Sequence, residues 1–524
     1  MTAAVWRLPP ADDQRPTYLA HAIALTALHG PGPLPNGGYP LPDEDLARPR
    51  PHMPGAVLDG IRTNHGSVHP DPPAAVTLTG LIGDLVANPP TTTALENLHD
   101  IAAGQDLLPI ADAVTSQLTA QDLPAERLRQ IGRWLAEHGT RRNAVALGIL
   151  LLGLAGDHRD RDLLLLLGSL EDLSLYSTVA LARSQPDRDQ ALFDMARRVA
   201  GWGRIHTVQR LAATQDPQIK AWLLRHGFRN QIMNEYLAHI AATTGDLHAA
   251  LATPPVDDEL LDSAGDILTA LCIGGPAEDI TDYPDAPQTI DQYLTLVTQR
   301  PPNLARVTVV LHLREFIASE QATPLNWTAI TRTRLRHTCD HLLGRPDWLL
   351  AVDHAMDSPD LPHFRLAIAP ARQLGIPTRT RIRARLHHHP DDAYLWQALT
   401  DDIDDVLTLA QQLLPLDRLA DGPTLDIGLR ADPPHYILEL IVSRLDTHPG
   451  KGWPLISVAL SNPLIRNRNM AIRALTAWPP GTIPDHIITA LHQASIIEPD
   501  PAIRDAMHQL LATWTTQDAR QTPE

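Results

Sequence analysis

Four aspartates lie within one short segment of the sequence, at Asp401, Asp402, Asp404 and Asp405. Carboxylates at this spacing could hold magnesium for a diphosphate substrate, or could keep one aspartate protonated as a general acid. The segment also leads into the apolar residue Val406, and carboxylates in the first turn of a helix interact favourably with the helix dipole. We therefore interpret the aspartates as the start of a helix and keep catalysis as an alternative.

The same segment contains a DxDD pattern at residues 402–405, which resembles the acidic motif of proton-initiated terpene cyclases. The resemblance implies an enzyme that acts on a prenyl diphosphate through the cluster from Asp401 to Asp405. Only 4% of the residues are aromatic, so there is little material to stabilise carbocations.

The sequence contains no GxSxG string for an esterase and no GxxxxGK[ST] string for a P-loop. It therefore favours a protein without catalytic residues.

A basic run just upstream contains four arginines, Arg379, Arg381, Arg383 and Arg385. On a helix they form two i,i+4 pairs that point in different directions, so one pair could line a groove for phosphate or RNA. The other interpretation is a solvated helix surface with Ile382 facing inward. The formal net charge of −18 disfavours a general nucleic-acid binder, because such binders gain affinity by neutralising phosphates. Nucleic-acid binding through Arg379 to Arg385 therefore stays an alternative.

Three groups of residues have side chains of the metal-binding types. They are His387, His388 and His389; His337 and His341 with Cys339 between them; and His65 and His69 near Asp59. Consecutive side chains diverge on a helix, and Cys339 lies off the face that His337 and His341 would share. No second ligand pair is spaced to complete any group. We therefore predict no metal and no cofactor.

The two cysteines, Cys272 and Cys339, cannot form a disulfide framework, which favours a reducing compartment. The first ten residues lack a basic segment followed by an apolar one, so we expect no secretory signal. The most apolar stretch, residues 144–156, is shorter than the roughly 20 residues that cross a bilayer. Lysine occurs only at Lys220 and Lys451, a bias typical of a GC-rich bacterial genome. The sequence predicts a cytoplasmic protein without a membrane span.

The secondary-structure elements that must position the candidate site residues are helices. Leucine and alanine, which both favour helices, supply most of the apolar residues. The 47 prolines fall mostly between apolar periods, where they can begin or end short helices. Residues 122–139 have one apolar face, and residues 142–154 are apolar nearly all round, as expected of an inner helix. Short connectors make neighbouring helices run antiparallel, so we predict an all-α fold.

Residues 462–466 and 500–504 each place a helix-capping residue, a proline and an Ile-Arg pair ahead of an apolar helix. Residues 216–220 are a third version, with lysine in place of arginine. The pattern resembles the second helix of HEAT-type repeats, which belong with armadillo repeats to the α-solenoids. The resemblance covers most of residues 81–515. It implies stacked antiparallel helix pairs with a curved face that binds a partner, often a protein segment.

Arg468 and Asn469 follow Ile465 on what should be the buried face of the helix after residue 464. A buried arginine needs partners. Polar contacts between successive repeats commonly satisfy such groups in solenoids, so we expect a structural role for these two residues.

Composition divides the chain into five segments. We expect an N-terminal arm or cap with a Pro/Gly-rich stretch at residues 1–80, a first helical-repeat segment at 81–255, an irregular acidic connector at 256–300, a second helical-repeat segment at 301–515, and a frayed tail at 516–524.

Aromatic and basic residues of the kinds found at interface centres gather in the first helical-repeat segment. They are Trp202, Arg204, Trp222, Arg225, Arg229, Asn230 and Tyr236. Glycines flank Trp202, which suits either close helix packing or an exposed aromatic anchor. The polar members could equally be helix caps and ion pairs within repeats. We predict a non-enzymatic scaffold that holds a protein partner at these residues, with the prenyl diphosphate enzyme and the nucleic-acid binder as alternatives.

Overall fold

The computed structural model describes residues 8, 16–44, 55–66, 72–323, 325, 327–428, 432–479 and 482–521. These residues form helices and the turns between them, with no β-strand, and a single bridge joins Asp426 to Leu464. The prediction of an all-α fold is confirmed. Throughout the described part of the chain, every helix is too short or too polar to cross a lipid bilayer.

The helices up to residue 343 are α1 (Tyr18–His29), α2 (Gly55–His65), α3 (Pro72–Ala87), α4 (Thr92–Ala103), α5 (Ala111–Ala120), α6 (Ala125–His138), α7 (Arg142–Ala155), α8 (Arg161–Gly168), α9 (Glu171–Ser184), α10 (Arg188–Arg198), α11 (Gly201–Gln209), α12 (Pro217–Trp222), α13 (Ala238–Thr244), α14 (Leu247–Ala252), α15 (Asp258–Ile273), α16 (Ala286–Thr298), α17 (Leu304–Ala318) and α18 (Ala329–Leu343).

The later helices are α19 (Pro346–Ala355), α20 (Leu361–Gln373), α21 (Arg379–His388), α22 (Ala393–Gln397), α23 (Ile403–Leu413), α24 (Leu416–Leu419), α25 (Pro433–Val442), α26 (Trp453–Leu460), α27 (Ile465–Ala477), α28 (Asp485–Ile497) and α29 (Pro501–Gln521). Short 3₁₀ turns and one π-helical turn, Leu223–Gly227, lie between some of them.

The helix caps show why some of the helices begin where they do. Asp216 accepts hydrogen bonds from the backbone N–H groups of Gln218 and Ile219, and Pro217 is the first residue of α12. Asp500 caps α29 in the same way, also ahead of a proline. These two predicted cap-proline pairs are confirmed. At Asn462 and Pro463 the proline is not the first residue of a helix, because α27 begins only at Ile465.

The chain forms two compact units. One comprises residues 1–301 and 308–342, and the other comprises residues 302–307 and 343–524. The division does not follow the connector expected at residues 256–300, because α15 occupies much of that interval. Asp257 caps α15, and the buried residues Leu261, Leu268 and Leu271 repeat at helical spacing along it. The apolar residues of α15 repeat at helical spacing and face the core, and its acidic residues lie on the more exposed side of the helix.

The expected N-terminal arm and C-terminal tail are both more regular than their composition suggests. Within residues 1–80, α1 packs against α6 and α8, and α2 packs against α9 and α11, so these helices belong to the first unit's core. At the other end, α29 continues to Gln521 and so includes much of the expected frayed tail. The last three residues of that tail lie outside the described part.

Within each unit, most helices pack against helices close to them in the chain. In the first unit α6 packs on α7, and α9 contacts α7, α8, α10 and α11. In the second unit α26 contacts α25, α27 and α28, and α29 contacts α27 and α28. The interfaces are filled mainly by leucine, isoleucine, valine and alanine, as the composition requires. Helices α1 and α2 are exceptions, because they pack against α6, α8, α9 and α11, which lie far from them in the chain.

Candidate functional site

Three of the seven residues predicted to contact a partner lie in the core. Trp202 is 5% exposed, and its ring meets the ring of Tyr236 edge to face, with 5.2 Å between centroids. The hydroxyl of Tyr236 is hydrogen-bonded to the imidazole of His65. Asn230 is fully buried. The glycines beside Trp202 therefore serve close packing, and these three side chains do not form a contact surface.

Asn230 instead shapes the loop that follows it. Its Oδ1 accepts hydrogen bonds from the backbone N–H groups of Ile232, at 2.8 Å, and Met233, at 2.9 Å. Its Nδ2 donates to the carbonyl of Met233 at 2.7 Å. Ile232 and Met233 are each 42% exposed. A buried amide thus holds two apolar side chains at the surface, a few residues after Arg225 and Arg229 in the chain.

Arg204 and Trp222 form a cation–π pair. The guanidinium carbon lies 5.2 Å from the centre of the Trp222 ring, and both side chains are half-buried. Arg204 also donates to the carbonyls of Val199 and His226. Burial lowers the pKa of Arg204 to about 10, so it remains charged at neutral pH. This pair joins α11 to α12 rather than standing free.

Arg225 and Arg229 are the more accessible members of the predicted set. Arg225 pairs with Asp257 at 2.7 Å and with Glu259 at 3.3 Å, and Arg229 pairs with Asp266 at 2.6 Å. The arginines extend from the turn after α12, and the carboxylates lie at and within α15. These are the ion pairs between neighbouring helices that the sequence left as an alternative. A role for the exposed members in partner binding stays a prediction.

A second polar centre, which sequence reasoning missed, surrounds Arg142. Its guanidinium lies 2.6 Å from Oδ2 of Asp59 and 3.5 Å from Oδ2 of Asp172, and both carboxylates are buried. Its backbone N–H donates to Asp43 at 2.9 Å, and the Tyr18 hydroxyl donates to the same carboxylate at 2.6 Å. Burial raises the pKa of Asp59, and the charge of Arg142 opposes that rise. The cluster fastens α1, α2 and Asp43 to α7 and α9.

The aspartate cluster and the basic run, two separate motifs in the sequence, pair with each other. Arg379 in α21 contacts Asp402 at 2.6 Å and Asp405 at 3.5 Å, and Arg383 contacts Asp405 at 2.5 Å. Asp402 also caps α23, as the helix-start interpretation predicts. Further ion pairs join Asp404 to Lys451 and Asp401 to Arg372.

The surroundings of these pairs are polar and open. A depression of about 580 Å³ is lined by Arg372, Arg379, Asp401, Asp402, Ile403, Asp404, His448 and Lys451. The side chains of Asp401 and Asp404 are 81% and 70% exposed. The other two arginines of the run also have partners, since Arg381 pairs with Asp353 and Arg385 lies over the ring of Phe364.

The histidine groups do not converge. No group of three or more His, Cys, Asp or Glu side chains in the described part of the chain is arranged to hold a metal ion. His337 and His341 are exposed on α18, whereas Cys339 is buried, because they lie on different faces of the helix. His387, His388 and His389 are exposed at the end of α21. His69 lies outside the described residues.

The first unit also contains a groove that the sequence did not indicate. Its volume is about 460 Å³, and its lining is mostly apolar: Thr63, Leu108, Pro109, Ala111, Asp112, Ala113, Thr115, Leu150, Gly153, Leu175, Tyr176, Val179, Ala180, Arg183 and Arg210. Residues 175, 179 and 183 are spaced four apart on α9, which puts them on one helix face. That spacing is the signal that could have revealed the groove.

Within the described part of the chain, two arginines of this lining have no acidic partner. Arg183 is exposed in the last turn of α9 and makes no ion pair or hydrogen bond within the described part of the chain. Arg210 is half-buried at the end of α11, and among the described residues its guanidinium donates only to the carbonyl of His206, at 2.9 Å. Burial lowers the pKa of Arg210, and the nearby charges of Arg188 and Arg183 lower it further. A mostly apolar groove thus contains two arginines without an ion-pair partner and one carboxylate, that of Asp112.

A scan of protein-family models finds no match for the chain, and neither a curated protein nor a solved structure matches it.

Proposed function

We propose that this protein is a non-enzymatic scaffold of the α-solenoid type, which holds a protein partner on its helical surface in the cytoplasm. The observation that carries the proposal is the succession of helix contacts within each unit, where helices pack chiefly on their chain neighbours. Stacked repeats have this contact pattern, since each repeat buries its apolar face only against the next one. The caps of α12 and α29, which have the HEAT-like cap-proline arrangement, add support.

The partner-binding surface that we propose includes Arg225, Arg229 and the loop after Asn230. Arg225 and Arg229 shortly precede Ile232 and Met233 in the chain, and the side chains of Ile232 and Met233 are exposed. Apolar side chains within a polar rim are typical of protein interfaces. Because Asn230 fixes the loop through three hydrogen bonds, a partner would meet a preordered surface.

The two alternatives have weaker support from the contacts. A prenyl diphosphate enzyme would need the carboxylates of residues 401–405 to face an enclosed apolar cavity, but they lie beside an open depression and pair with arginine and lysine. A nucleic-acid binder would need free arginines, but those of α21 have acidic, carbonyl or aromatic partners. Ligand binding at either place would first have to open ion pairs.

The test is affinity purification of the tagged protein from its own host, with mass spectrometry of bound proteins, nucleic acid and small molecules. We expect a stoichiometric protein partner. The double variant Ile232→Asp and Met233→Asp should lose it, because charged groups would replace the apolar contact. Ile330→Asp is the matched control, since Ile330 is 81% exposed on α18 and should be neutral. A co-purifying prenyl diphosphate or nucleic acid without a protein would contradict the scaffold.

A further inference from the structure

We propose that the groove beside α9 binds a single-chain amphiphile with a carboxylate head, a ligand such as a medium-chain fatty acid. The aliphatic chain lies along α9 from Leu175 toward Val179, and the carboxylate meets Arg183 and Arg210. This inference does not depend on the scaffold function, because no residue of the groove lining belongs to the proposed partner surface.

The shape of the groove suits an unbranched chain. From Leu175 to Arg183 the axis of α9 advances about 12 Å, at the usual rise per residue. Gly153 in α7 lies so close to α9 that a Cβ at this position would come within 2.9 Å of Cα of Ala180. The two small residues bring the helices together and leave a narrow apolar floor. The volume of about 460 Å³ is typical of small-molecule sites.

The charge of the groove selects an anion. The chain as a whole carries −18, yet Arg183 and Arg210 meet no carboxylate in the described part. The third nearby arginine, Arg188, is already paired with Asp189 at 2.7 Å. A planar guanidinium binds a carboxylate through charge-assisted hydrogen bonds, which are stronger than neutral ones. Arg210 in particular, being half-buried, would gain the counter-charge that its surroundings lack.

The other polar groups of the lining do not compete with the arginines for the carboxylate of the ligand. Asp112 belongs to the first turn of α5, and its carboxylate would repel an anionic head placed beside it. The Tyr176 hydroxyl faces Asp59 at 3.4 Å and is therefore engaged with the Arg142 cluster. The hydroxyls of Thr63 and Thr115 donate to backbone carbonyls of their own helices, so the arginines are the groups available to a carboxylate.

The experiment is isothermal titration of the full chain with dodecanoate, and with dodecanol as the uncharged analogue. We expect one dodecanoate per chain, and binding of dodecanol weaker by roughly tenfold or more, because it lacks the ionic contact. Arg183→Gln and Arg210→Gln should each weaken dodecanoate by roughly tenfold and leave dodecanol unchanged. Arg336→Gln, an exposed arginine on α18, is the matched control and should bind as the unmodified chain does.

The variant Val179→Trp tests the position of the chain, since the larger side chain would fill the groove. It should abolish binding of dodecanoate while circular dichroism and thermal unfolding show that the helices remain folded. Three results would each overturn the proposal: no binding of dodecanoate, equal binding of dodecanoate and dodecanol, or unchanged binding by folded Val179→Trp. If Val179→Trp fails to fold, the two arginine variants decide the outcome, and unchanged binding of dodecanoate by both would overturn the proposal.

Discussion

The guanidinium of Arg142 in α7 lies 2.6 Å from a carboxylate oxygen of Asp59 in α2, a residue 83 positions earlier in the chain. Asp172 lies on the other side of the same guanidinium, and its carboxylate accepts a hydrogen bond from the backbone of Ala56. One arginine therefore compensates two buried carboxylates and joins α2 to the helices beneath it. Helices that are distant in sequence are held together by charge as well as by apolar contacts.

Replacing Arg142 with methionine should destabilise the first unit strongly. The apolar stem would be retained, but Asp59 and Asp172 would remain buried without their counter-charge. Breaking a buried pair in this way typically costs about 3–5 kcal/mol. Urea unfolding followed by tryptophan fluorescence measures the loss. Arg141→Met is the control, because the adjacent Arg141 has no ion pair in the described part of the chain, and equal effects of the two variants would contradict the assignment.

The contact between Gly60 and Trp202 predicts opposite outcomes for two glycine variants. A Cβ at Gly60 would overlap the Trp202 ring, so Gly60→Ala should destabilise the protein by about 1–3 kcal/mol. Gly80 also lies inside a helix, but a Cβ there would meet no atom within 4 Å. Gly80→Ala should therefore be neutral or stabilise by up to about 1 kcal/mol. Thermal unfolding of both variants is the measurement, and a stable Gly60→Ala protein would refute the packing of α2 on α11.

His206 should make the protein acid-sensitive. Burial, aided by the charge of Arg210, lowers its pKa from 6.5 to about 4. Above pH 6.5 the imidazole is neutral in both states, and its contribution to stability is fully present. As the pH falls from 6.5 toward 4 the unfolded chain binds a proton that the folded chain excludes, so up to about 3 kcal/mol is lost.

The measurement is the free energy of unfolding at pH 7 and at pH 4.5 for the unmodified chain and for His206→Gln. The variant should lose less stability over this interval, because its side chain does not titrate. His158→Gln, at a position whose side chain is 76% exposed, serves as the control and should behave as the unmodified chain does. An identical pH dependence of the His206 variant would contradict the prediction.

The buried pair of Arg468 and Glu498 should show strong coupling. The two side chains are 0% and 1% exposed, their closest atoms are 2.7 Å apart, and Arg468 also donates to the carbonyls of Asn462 and Thr424. Arg468→Met alone should cost about 3–5 kcal/mol. The double variant with Glu498→Leu should recover much of that loss, since no unpaired charge remains. A double-mutant cycle by urea unfolding measures the coupling, and additive effects would show that the pair is not a unit.

The helical class of this protein follows from its sequence because helix formation depends on near neighbours. Caps such as Asp216 and Asp500 act on residues two or three positions away, so their effect can be read from the sequence. The apolar spacing within α6 and α7 likewise predicted both helices. The connector predicted at residues 256–300 depended on the glycines and acidic residues of 274–285, which follow α15, whereas the leucines of α15 itself repeat at helical spacing.

The partners of the charged residues were decided only by the tertiary structure. Asp402 and Arg379 each indicated a different site in the sequence, but the packing of the helices places them 2.6 Å apart. Arg183 and Arg210 gave no sequence signal as a pair, because the tertiary packing of α9 and α11 brings both to one groove. Local periodicity determines which residues face inward, whereas electrostatic pairing depends on distances between segments that the linear sequence does not contain.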